Sequence, residues 1–290
     1  MFLCIAASVI MLSLLMHAAR LTIDPLGEGI VPYYLAGGVA IFLRLNGERW
    51  IPRYGRVIAD CAEYYALFTG IALIGAVASY PIAALTYGFH DAALQRIDVA
   101  LGFDWLAWYR TVAEHPLLQH IGLAAYRSIY LTPAILLGWF AWHGDRAAAH
   151  RFLITFWLAA LVTLALYVLM PAVGPLAYLW HAPLPYMPES ELWQEGLIPA
   201  LRDHRVGVID LSHLRGIVSA PSFHTAAAVL YIHTAWSRRE LRWPILAINI
   251  AMLLATPVEG THYFIDMILG AVVAVVAILA VKRIVSAPPP

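Results

Sequence analysis

Two short stretches of the sequence hold residue types that could handle and transfer a phosphate group. The first, SAPSFH (residues 219–224), places Ser222 and His224 at the start of an apolar segment. The second, THYFID (residues 261–266), places His262 and Asp266 four residues apart. A histidine can act as a nucleophile or as an acid and base, and a carboxylate can hold its ring in one orientation. Together the two stretches could supply the parts of a covalent phosphoryl-transfer site.

Both stretches fit the beginning of a helix. Pro221 suits the first turn, where the missing N–H costs nothing, and Ser219 or Ser222 can cap that turn. The free N–H groups and the positive end of the helix dipole then attract phosphate. His262 and Asp266 share one helical face. The carboxylate can therefore accept the proton of one ring nitrogen and leave the other nitrogen free.

The elements that must position these residues are membrane helices. Of the 290 residues, 62% are hydrophobic and only 12% are charged, whereas soluble proteins carry about 25% charged residues. Runs of about 17 to 25 apolar residues can cross a bilayer as helices. We expect six core spans and two N-terminal segments, the second of them short enough to be re-entrant or tilted. The core spans are residues 57–85, 117–142, 152–170, 222–236, 244–258 and 263–281, and the N-terminal segments are residues 2–19 and 30–43.

The distribution of basic residues predicts the orientation in the membrane. When the spans are threaded alternately, more than half of the 18 Lys and Arg residues fall on one side. Loops rich in Lys and Arg stay in the cytoplasm. We therefore expect both termini in the cytoplasm and both chemical stretches on the extracytoplasmic side of an integral membrane protein, with a bacterial inner membrane as the expected location.

The longer loops lie on the side with fewer basic residues. Residues 89–116 include Trp105, Trp108 and Tyr109, which are typical of a helix anchored at the level of the lipid headgroups. Residues 172–220 show little structure of their own and suit a lid or a substrate-binding segment. We divide the chain into N-terminal helices with a basic loop (1–56), a six-span catalytic core that includes this long loop (57–284), and a tail (285–290).

Three arginines are candidates for binding phosphate. Arg127 lies within a core span, and a guanidinium at membrane depth faces either a cavity or a partner. It could reach the phosphate or headgroup, or pair structurally with a carbonyl or an Asp. Arg205 and Arg215 lie in the long loop and could fold back over the site. Glu259, one turn before His262, is interpreted as a solvated loop residue, with contact to an acceptor hydroxyl as the alternative.

The two stretches resemble the motifs of the type-2 phosphatidic acid phosphatase superfamily, in which Pro-Ser-x-His and His-x-x-x-Asp form a site at the membrane face. The resemblance covers residues 57–281 and leaves the first two segments as additions. LMPAVGPLAY (residues 169–178) occupies the place of the superfamily's first motif. The resemblance implies an all-α polytopic fold with a six-helix core plus about two N-terminal helices.

The resemblance also implies a role for each residue of the site. His262 would attack phosphorus to give a phosphohistidine, and Asp266 would orient it. His224 would protonate the leaving alkoxide and later deprotonate the acceptor. Ser222 and the backbone N–H of Phe223 would hold a phosphate oxygen. This chemistry needs no metal and no other cofactor.

The sequence departs from the phosphatase pattern at several cation positions. Phosphatases of the superfamily usually carry a Lys and an Arg in the first motif, a Gly before the His of the second, and an Arg six residues before the nucleophile. Here the first motif has neither cation, Phe223 replaces the Gly, and Thr256 replaces the Arg. SAPSFH and THYFID are more similar to the inositolphosphotransferase branch, typified by fungal inositol phosphorylceramide synthases. HYFID is also similar to the His-Tyr-x-x-Asp of sphingomyelin synthases.

The missing cations favour a phosphodiester donor over a monoester. A monoester carries nearly two negative charges and is held best by several cations, whereas a diester carries one charge that helix N–H groups and one Arg can hold. The sequence therefore predicts a phosphotransferase that moves a phospho-headgroup, for example phosphoinositol, from a membrane phospholipid to a lipid or alcohol hydroxyl. The alternative is a lipid phosphate phosphatase acting on phosphatidate, phosphatidylglycerophosphate or a polyprenyl diphosphate.

Two further function classes compete with these. A transition-metal enzyme could use His224, His262 and Asp266 as ligands, but the Pro-Ser helix start would then have no role. A transporter would carry ionisable residues at mid-bilayer along several spans, whereas here, Arg127 excepted, they crowd one face. The net charge of zero and the scattered basic residues give no indication of a nucleic acid partner, and no protein partner is predicted.

Overall fold

The computed structural model of the chain describes residues 1–50 and 53–286. These residues form twelve α-helices, which confirms the predicted all-α polytopic fold. The helices are α1 (Phe2–Ala19), α2 (Val31–Trp50), α3 (Gly55–Ala84), α4 (Asp91–Ala100), α5 (Trp105–Ala113), α6 (Pro116–His143), α7 (Arg146–Tyr167), α8 (Pro175–Leu179), α9 (Trp193–Arg202), α10 (Phe223–Ala235), α11 (Arg239–Glu259) and α12 (Phe264–Ser286). Two short strands, β1 (Thr22–Ile23) and β2 (Val208–Ile209), pair in parallel. Single turns of 3-10 helix cover Glu28–Ile30 and Leu211–His213.

Seven of the described helices are long and apolar enough to cross a membrane, as befits an integral membrane protein. They are α1, α2, α3, α6, α7, α11 and α12. The expected span at residues 222–236 is the helix α10, but its 13 residues cover only about 20 Å, less than the ~30 Å of a bilayer's hydrocarbon core. The second N-terminal segment is longer than expected, because α2 continues to Trp50 and contains 20 residues.

Local capping sets the limits of several helices. Asp104 begins α5 by accepting a hydrogen bond from the backbone of Ala107 at 2.9 Å, and Asp145 begins α7 in the same way. Pro116 is the first residue of α6, where its missing N–H costs nothing. Gly144 follows α6 with a φ of 67°, a conformation that glycine adopts without strain. The chain therefore reverses within two residues, and α6 and α7 run side by side.

The core of the bundle lies among α3, α6, α7, α10 and α12. Its largest buried side chains include Tyr64, Leu136, Phe156 and Tyr231, each at most 2% exposed. A second apolar cluster joins the end of α3 to α9 and to the loop after β2. Burial of apolar surface contributes about 25 cal/mol per Å², and these clusters fix the framework on which the two sequence stretches lie.

Ion pairs mark the end of the bundle where α3 and α7 begin. Arg146 of α7 lies 3.0 Å from both Asp60 and Glu63 of α3. Arg44 of α2 lies 2.7 Å from Glu63. The carboxylates are buried while the arginines remain partly exposed, so these contacts tie α2, α3 and α7 together at one surface. The stretches 219–224 and 261–266 lie at the opposite end.

Two expectations about the loops are wrong. Residues 172–220 do not lack structure, because they contain α8, α9 and β2. Within residues 89–116, the expectation of anchoring at the headgroups fails for Trp105 and Tyr109, which are only 1% and 0% exposed, whereas Trp108 is 39% exposed. Trp105 donates its indole N–H to the carbonyl of Pro257 at 2.9 Å, and Tyr109 donates its hydroxyl to the carbonyl of Tyr186 at 2.6 Å. Trp105 thus fastens α5 to the end of α11, close to the second stretch, and Tyr109 fastens it to the long loop.

Candidate active site

The predicted nucleophile His262 lies in a tight turn between α11 and α12. α11 ends at Glu259 and α12 begins at Phe264, so four residues reverse the chain. The Nδ1 atom of His262 lies 3.5 Å from Oδ2 of Asp266, one turn into α12. The same carboxylate oxygen accepts a hydrogen bond from the backbone N–H of Tyr263 at 3.1 Å. Because Nδ1 faces the carboxylate, Nε2 is the ring nitrogen left for chemistry.

Gly260 permits the close packing of this turn. A Cβ atom placed there would lie 2.7 Å from Cδ2 of His262 and 3.0 Å from the hydroxyl of Tyr126. The first distance is shorter than real Cβ contacts and the second is tight, so a side chain here would force the imidazole to move. The glycine thereby brings α6, which carries Tyr126, against the turn of His262.

The second histidine, His224, lies in the first turn of α10 and stacks on Tyr126. The two ring centroids are 4.0 Å apart with an interplanar angle of 15°. The hydroxyl of Tyr126 lies 3.3 Å from Nδ1 of His224. Tyr126 therefore contacts one face of the imidazole and one of its nitrogens, which restricts the ring to a single orientation. The sequence prediction did not include Tyr126, since nothing in its neighbourhood distinguishes it from other aromatic residues of a membrane helix.

The two stretches meet through direct backbone contacts between α10 and α12. The N–H of Ser222 donates to the carbonyl of Asp266 at 2.9 Å. Gly270, one turn further along α12, packs so closely on the carbonyl of Ser222 that an added Cβ atom would collide with it. The expected proximity of His224 and His262 thus depends on small residues at a helix crossing as well as on topology.

A chamber of about 470 Å³ extends from the two histidines into the apolar interior of the bundle. His224, His262 and Arg215 are among its polar lining residues. Its remaining wall comes mainly from α3, α6, α7 and α10, and includes Phe68, Ile71, Ile129, Phe156 and Tyr231. The volume lies within the range of about 300–1,000 Å³ that is typical of small-molecule sites. The chamber therefore suits a ligand that has a polar head and an apolar tail.

The three candidate arginines occupy different positions relative to the chamber. Arg127 forms a bidentate pair with Glu189, with both N–O distances 2.9 Å, and does not line the chamber. Arg205 pairs with Asp203 at 2.9 Å on the surface and is also outside. Arg215 does line it, with its guanidinium 4.7 Å from the ring centroid of Trp193 and Nη1 3.7 Å from a carboxylate oxygen of Glu191. Of the two alternatives for Arg127, the structure shows a partner, and that partner is a Glu.

Ser222 and Phe223 are placed differently from each other. The hydroxyl of Ser222 caps α10 by accepting from the backbone N–H of Thr225 at 3.4 Å, and the residue is completely buried outside the chamber. This hydroxyl therefore does not reach a phosphate bound in the chamber, contrary to the expectation from the sequence. Phe223 lines the chamber, where its ring packs edge-on against Phe156 at 5.2 Å.

Glu259 is not a solvated loop residue, since it is only 1% exposed. Its carboxylate accepts hydrogen bonds from the hydroxyl of Tyr186 at 2.7 Å and from the backbone N–H of Glu189 at 3.1 Å. Its carbonyl accepts from the N–H of Ser190 at 2.9 Å. Burial and the bond to Glu259 raise the pKa of the Tyr186 hydroxyl, so this hydroxyl remains a donor. Glu259 thus connects the long loop to the turn of His262 through these hydrogen bonds.

Two buried acids of α4, Asp91 and Asp98, also reach this turn and were missed by the sequence analysis. Burial raises the pKa of the Asp98 carboxyl, although two backbone N–H donors oppose the shift. The only sequence signal is the presence of two acids seven residues apart on an otherwise mixed helix. Their partners lie more than 80 residues away, so no local pattern could reveal them.

The described side chains do not include a group of three His, Cys, Asp or Glu residues arranged to hold a metal ion. The transition-metal alternative required His224, His262 and Asp266 to form such a group. Asp266 instead lies behind His262, where it contacts Nδ1 and the backbone of Tyr263. This arrangement matches an orienting carboxylate rather than a third ligand.

Comparisons with known proteins agree with the geometry at the level of a superfamily. Residues 92–280 match the family model described as the PAP2 superfamily. No curated protein matches the chain, and no solved structure matches it. The matched range begins in α4 and contains both stretches, the turn of His262 and the long loop.

Proposed function

The chain belongs to the PAP2 superfamily, and on this premise we propose that it is an integral-membrane phosphotransferase acting on lipids. The reaction moves a phospho-headgroup such as phosphoinositol from a membrane phospholipid to a lipid hydroxyl. Superfamily membership supports an enzyme of the lipid phosphatase or phosphotransferase type. The site geometry supports the particular residues and the transfer reaction that we assign.

In the first half-reaction, Nε2 of His262 attacks the phosphorus of the donor lipid. A P–N bond forms and the P–O bond to the diacylglycerol oxygen breaks. Protonated His224 gives its proton to that leaving alkoxide, while Asp266 stabilises the imidazolium character that develops on His262. Tyr126, stacked on His224, holds the acid in line with the leaving oxygen.

In the second half-reaction, the hydroxyl of the acceptor attacks the phosphohistidine. His224, now neutral, takes the hydroxyl proton, a new P–O bond forms, and the P–N bond breaks. His262 returns to its starting state and the acceptor carries the headgroup. The alternating acid and base roles of His224 follow from the reversal of the first step.

The observation that carries this proposal is the shared chamber of His224 and His262. Both histidines line one cavity whose other walls are mostly apolar. A lipid can place its phosphate at the histidines and a hydrocarbon chain among Phe68, Phe156 and Tyr231. Such apolar walls accommodate a hydrocarbon chain, which a soluble phosphate lacks, so the chamber favours a lipid.

The charge at the chamber supports a phosphodiester donor. Among the described residues that line it, Arg215 is the single Arg or Lys. This guanidinium, which also lies 3.7 Å from Glu191, could hold the one negative charge of a diester, whereas a monoester would bring a second charge into a low-dielectric site. The scarcity of Lys and Arg, in the motifs and in the chamber wall alike, therefore favours a phosphotransferase over a phosphatase.

We assign the site to the extracytoplasmic side of the membrane. The opposite end of the bundle carries Arg44 and Arg146 among other basic residues, and loops rich in Lys and Arg stay in the cytoplasm. The enzyme would then modify lipids of the outer leaflet without any nucleotide cofactor.

Phosphorus NMR on the purified protein in mixed vesicles tests the function. The vesicles contain phosphatidylinositol as donor and ceramide as acceptor, because transfer to diacylglycerol would only regenerate the donor lipid. We expect a new phosphodiester resonance that needs both lipids and that disappears in His262→Ala. His233→Ala, a change at an exposed histidine nine residues further along α10, should leave the resonance intact.

Two other results would overturn the transferase assignment. Release of inorganic phosphate from phosphatidate vesicles, with no dependence on an acceptor, would identify a lipid phosphate phosphatase. Turnover that survives in His262→Ala would remove His262 as the nucleophile.

A further inference from the structure

Asp98 of α4 caps the helix that follows the nucleophile. Its side chain is fully buried. Oδ2 accepts a hydrogen bond from the N–H of Phe264 at 2.7 Å, and Oδ1 accepts one from the N–H of Ile265 at 2.8 Å. These are the first two residues of α12, whose N–H groups have no partner within the helix. The cap is thus supplied by another helix, 166 residues away in sequence, and it begins two residues after His262.

Asp91, at the start of α4, holds the other side of the same turn. Its Oδ1 atom accepts from the hydroxyl of Tyr263 at 2.9 Å and from the N–H of Gly174 at 3.0 Å. Its Oδ2 atom accepts from the N–H of Val173 at 3.0 Å. Asp91 as a whole is only 3% exposed. Asp91 therefore joins Tyr263, the residue directly after His262, to the loop at residues 173–174.

That loop in turn presses on the residue before His262. Gly174 has a φ of 96°, and a Cβ atom there would lie 2.9 Å from the carbonyl oxygen of Thr261. The residues on either side of His262 are consequently held by two contacts that both trace back to Asp91. Asp98 then holds the two residues that follow.

Asp91 and Asp98 are seven residues apart, which is about two helical turns, so they project from one face of α4. A buried carboxylate is costly unless all its lone pairs find donors. Here five hydrogen bonds, two to Asp98 and three to Asp91, satisfy the pair. Every one of these donors belongs either to the turn of His262 and the start of α12 or to the loop that packs on that turn.

We propose that Asp91 and Asp98 are positioning residues that fix His262 for attack on phosphorus. Neither side chain is among the residues that line the chamber, so both act through the turn and not on the substrate. A reactive group needs to stay within about 0.5 Å of its productive position, and α4 supplies that restraint from outside the bundle. The inference rests on the proposed function of His262.

Asp98→Asn tests the proposal with the smallest change of shape. The amide keeps one carbonyl oxygen as acceptor and replaces the other oxygen with a donor, so one of the two N–H groups at the start of α12 loses its partner. We expect kcat for headgroup transfer to fall about 10- to 100-fold, as for a displacement approaching 1 Å, with KM nearly unchanged. Asp104→Asn is the matched control, because Asp104 also caps a helix but that helix carries no chamber residue.

A second readout does not depend on the identity of the substrate. In protein labelled with ¹⁵N-histidine, the resonances of His262, assigned by their loss in His262→Ala, report which ring nitrogen carries the proton. We expect a single tautomer protonated on Nδ1, facing Asp266, in the parent protein and in Asp104→Asn. In Asp98→Asn we expect a mixture of tautomers.

Tyr263→Phe gives a milder version of the same test, for the case in which Asp98→Asn loses its helical circular dichroism or its thermal transition. It removes only the hydroxyl that Asp91 accepts, so a smaller fall in kcat and a partial mixture of tautomers are expected.

Separate outcomes overturn the positioning role and the proposed function. A folded Asp98→Asn or Tyr263→Phe protein with the parent's kcat and histidine spectrum would overturn the positioning role, as would a change in KM alone. If Asp98→Asn changes the spectrum while His262→Ala retains transfer, the nucleophilic role proposed for His262 fails and the structural restraint stands.

Discussion

Gly260→Ala should disable the site by steric displacement alone. Gly260 has a φ of −95°, which alanine adopts freely, so the change adds no backbone strain. The new Cβ would lie 2.7 Å from Cδ2 of His262, and ordinary contact begins at 3.4 Å. The ring must therefore move by about 0.7 Å, the difference between these distances. A misplacement of 1 Å costs about 10²-fold in rate, so we expect kcat to fall about 10- to 100-fold.

The same Cβ would also meet Tyr126 at 3.0 Å and the backbone oxygen of Thr256 at 2.9 Å. Crowding of this kind costs about 1–3 kcal/mol of folding stability, which a thermal melt of the purified protein would detect. The rate is measured from the product resonance in vesicles of saturating donor and acceptor. Gly138→Ala is the control, since no atom lies within 4 Å of its added Cβ. A Gly260→Ala protein with the parent's kcat would refute the reasoning that this close contact positions His262.

Two further substitutions test the charges at the site. In Asp266→Asn the amide no longer orients and stabilises the imidazole, and by analogy with other His-carboxylate pairs we expect kcat to fall about 10³- to 10⁴-fold; a loss below tenfold in the vesicle assay would contradict an orienting role. Arg215→Ala removes the one cation of the chamber, and loss of a charge-assisted hydrogen bond of about 1.5–3 kcal/mol should lower kcat/KM about 10- to 100-fold. Arg205→Ala, which alters a surface pair, should keep kcat/KM within a factor of about two. Equal losses in both variants would refute the proposal that Arg215 holds the substrate phosphate.

The fold could be predicted largely from composition and apolar runs. Seven helices long enough to span a membrane coincide with expected segments, because a bilayer requires long uninterrupted apolar stretches. The helix α10 coincides with its segment but is short. Its first turn carries His224, and at its other end the chain turns into α11 at Arg238.

The candidate site was only partly predictable. The four-residue spacing of His262 and Asp266 is visible in the sequence and accounts for their contact, whereas the approach of His224 depends on the packing of α10 against α12. The partners of Arg127 and the burial of Glu259 could not be inferred, because both depend on where residues 186–190 of the long loop lie. Sequence spacing carries no information about such distant contacts. A buried aromatic residue such as Trp105 also cannot be told by residue type from an aromatic residue at the membrane interface.

The hydrogen bonds at Glu259 limit which segments of this protein can be exchanged for those of other superfamily members. The long loop is joined to the turn of His262 through a carboxylate that accepts hydrogen bonds from Tyr186 and Glu189. A chimaera that exchanged residues 172–220 for a loop that lacks the Tyr186 hydroxyl would leave that buried carboxylate short of a donor, at a cost of about 1–3 kcal/mol. Grafting the loop to change the lipid that the chamber accepts therefore means exchanging α4, the loop and the turn before α12 as one unit.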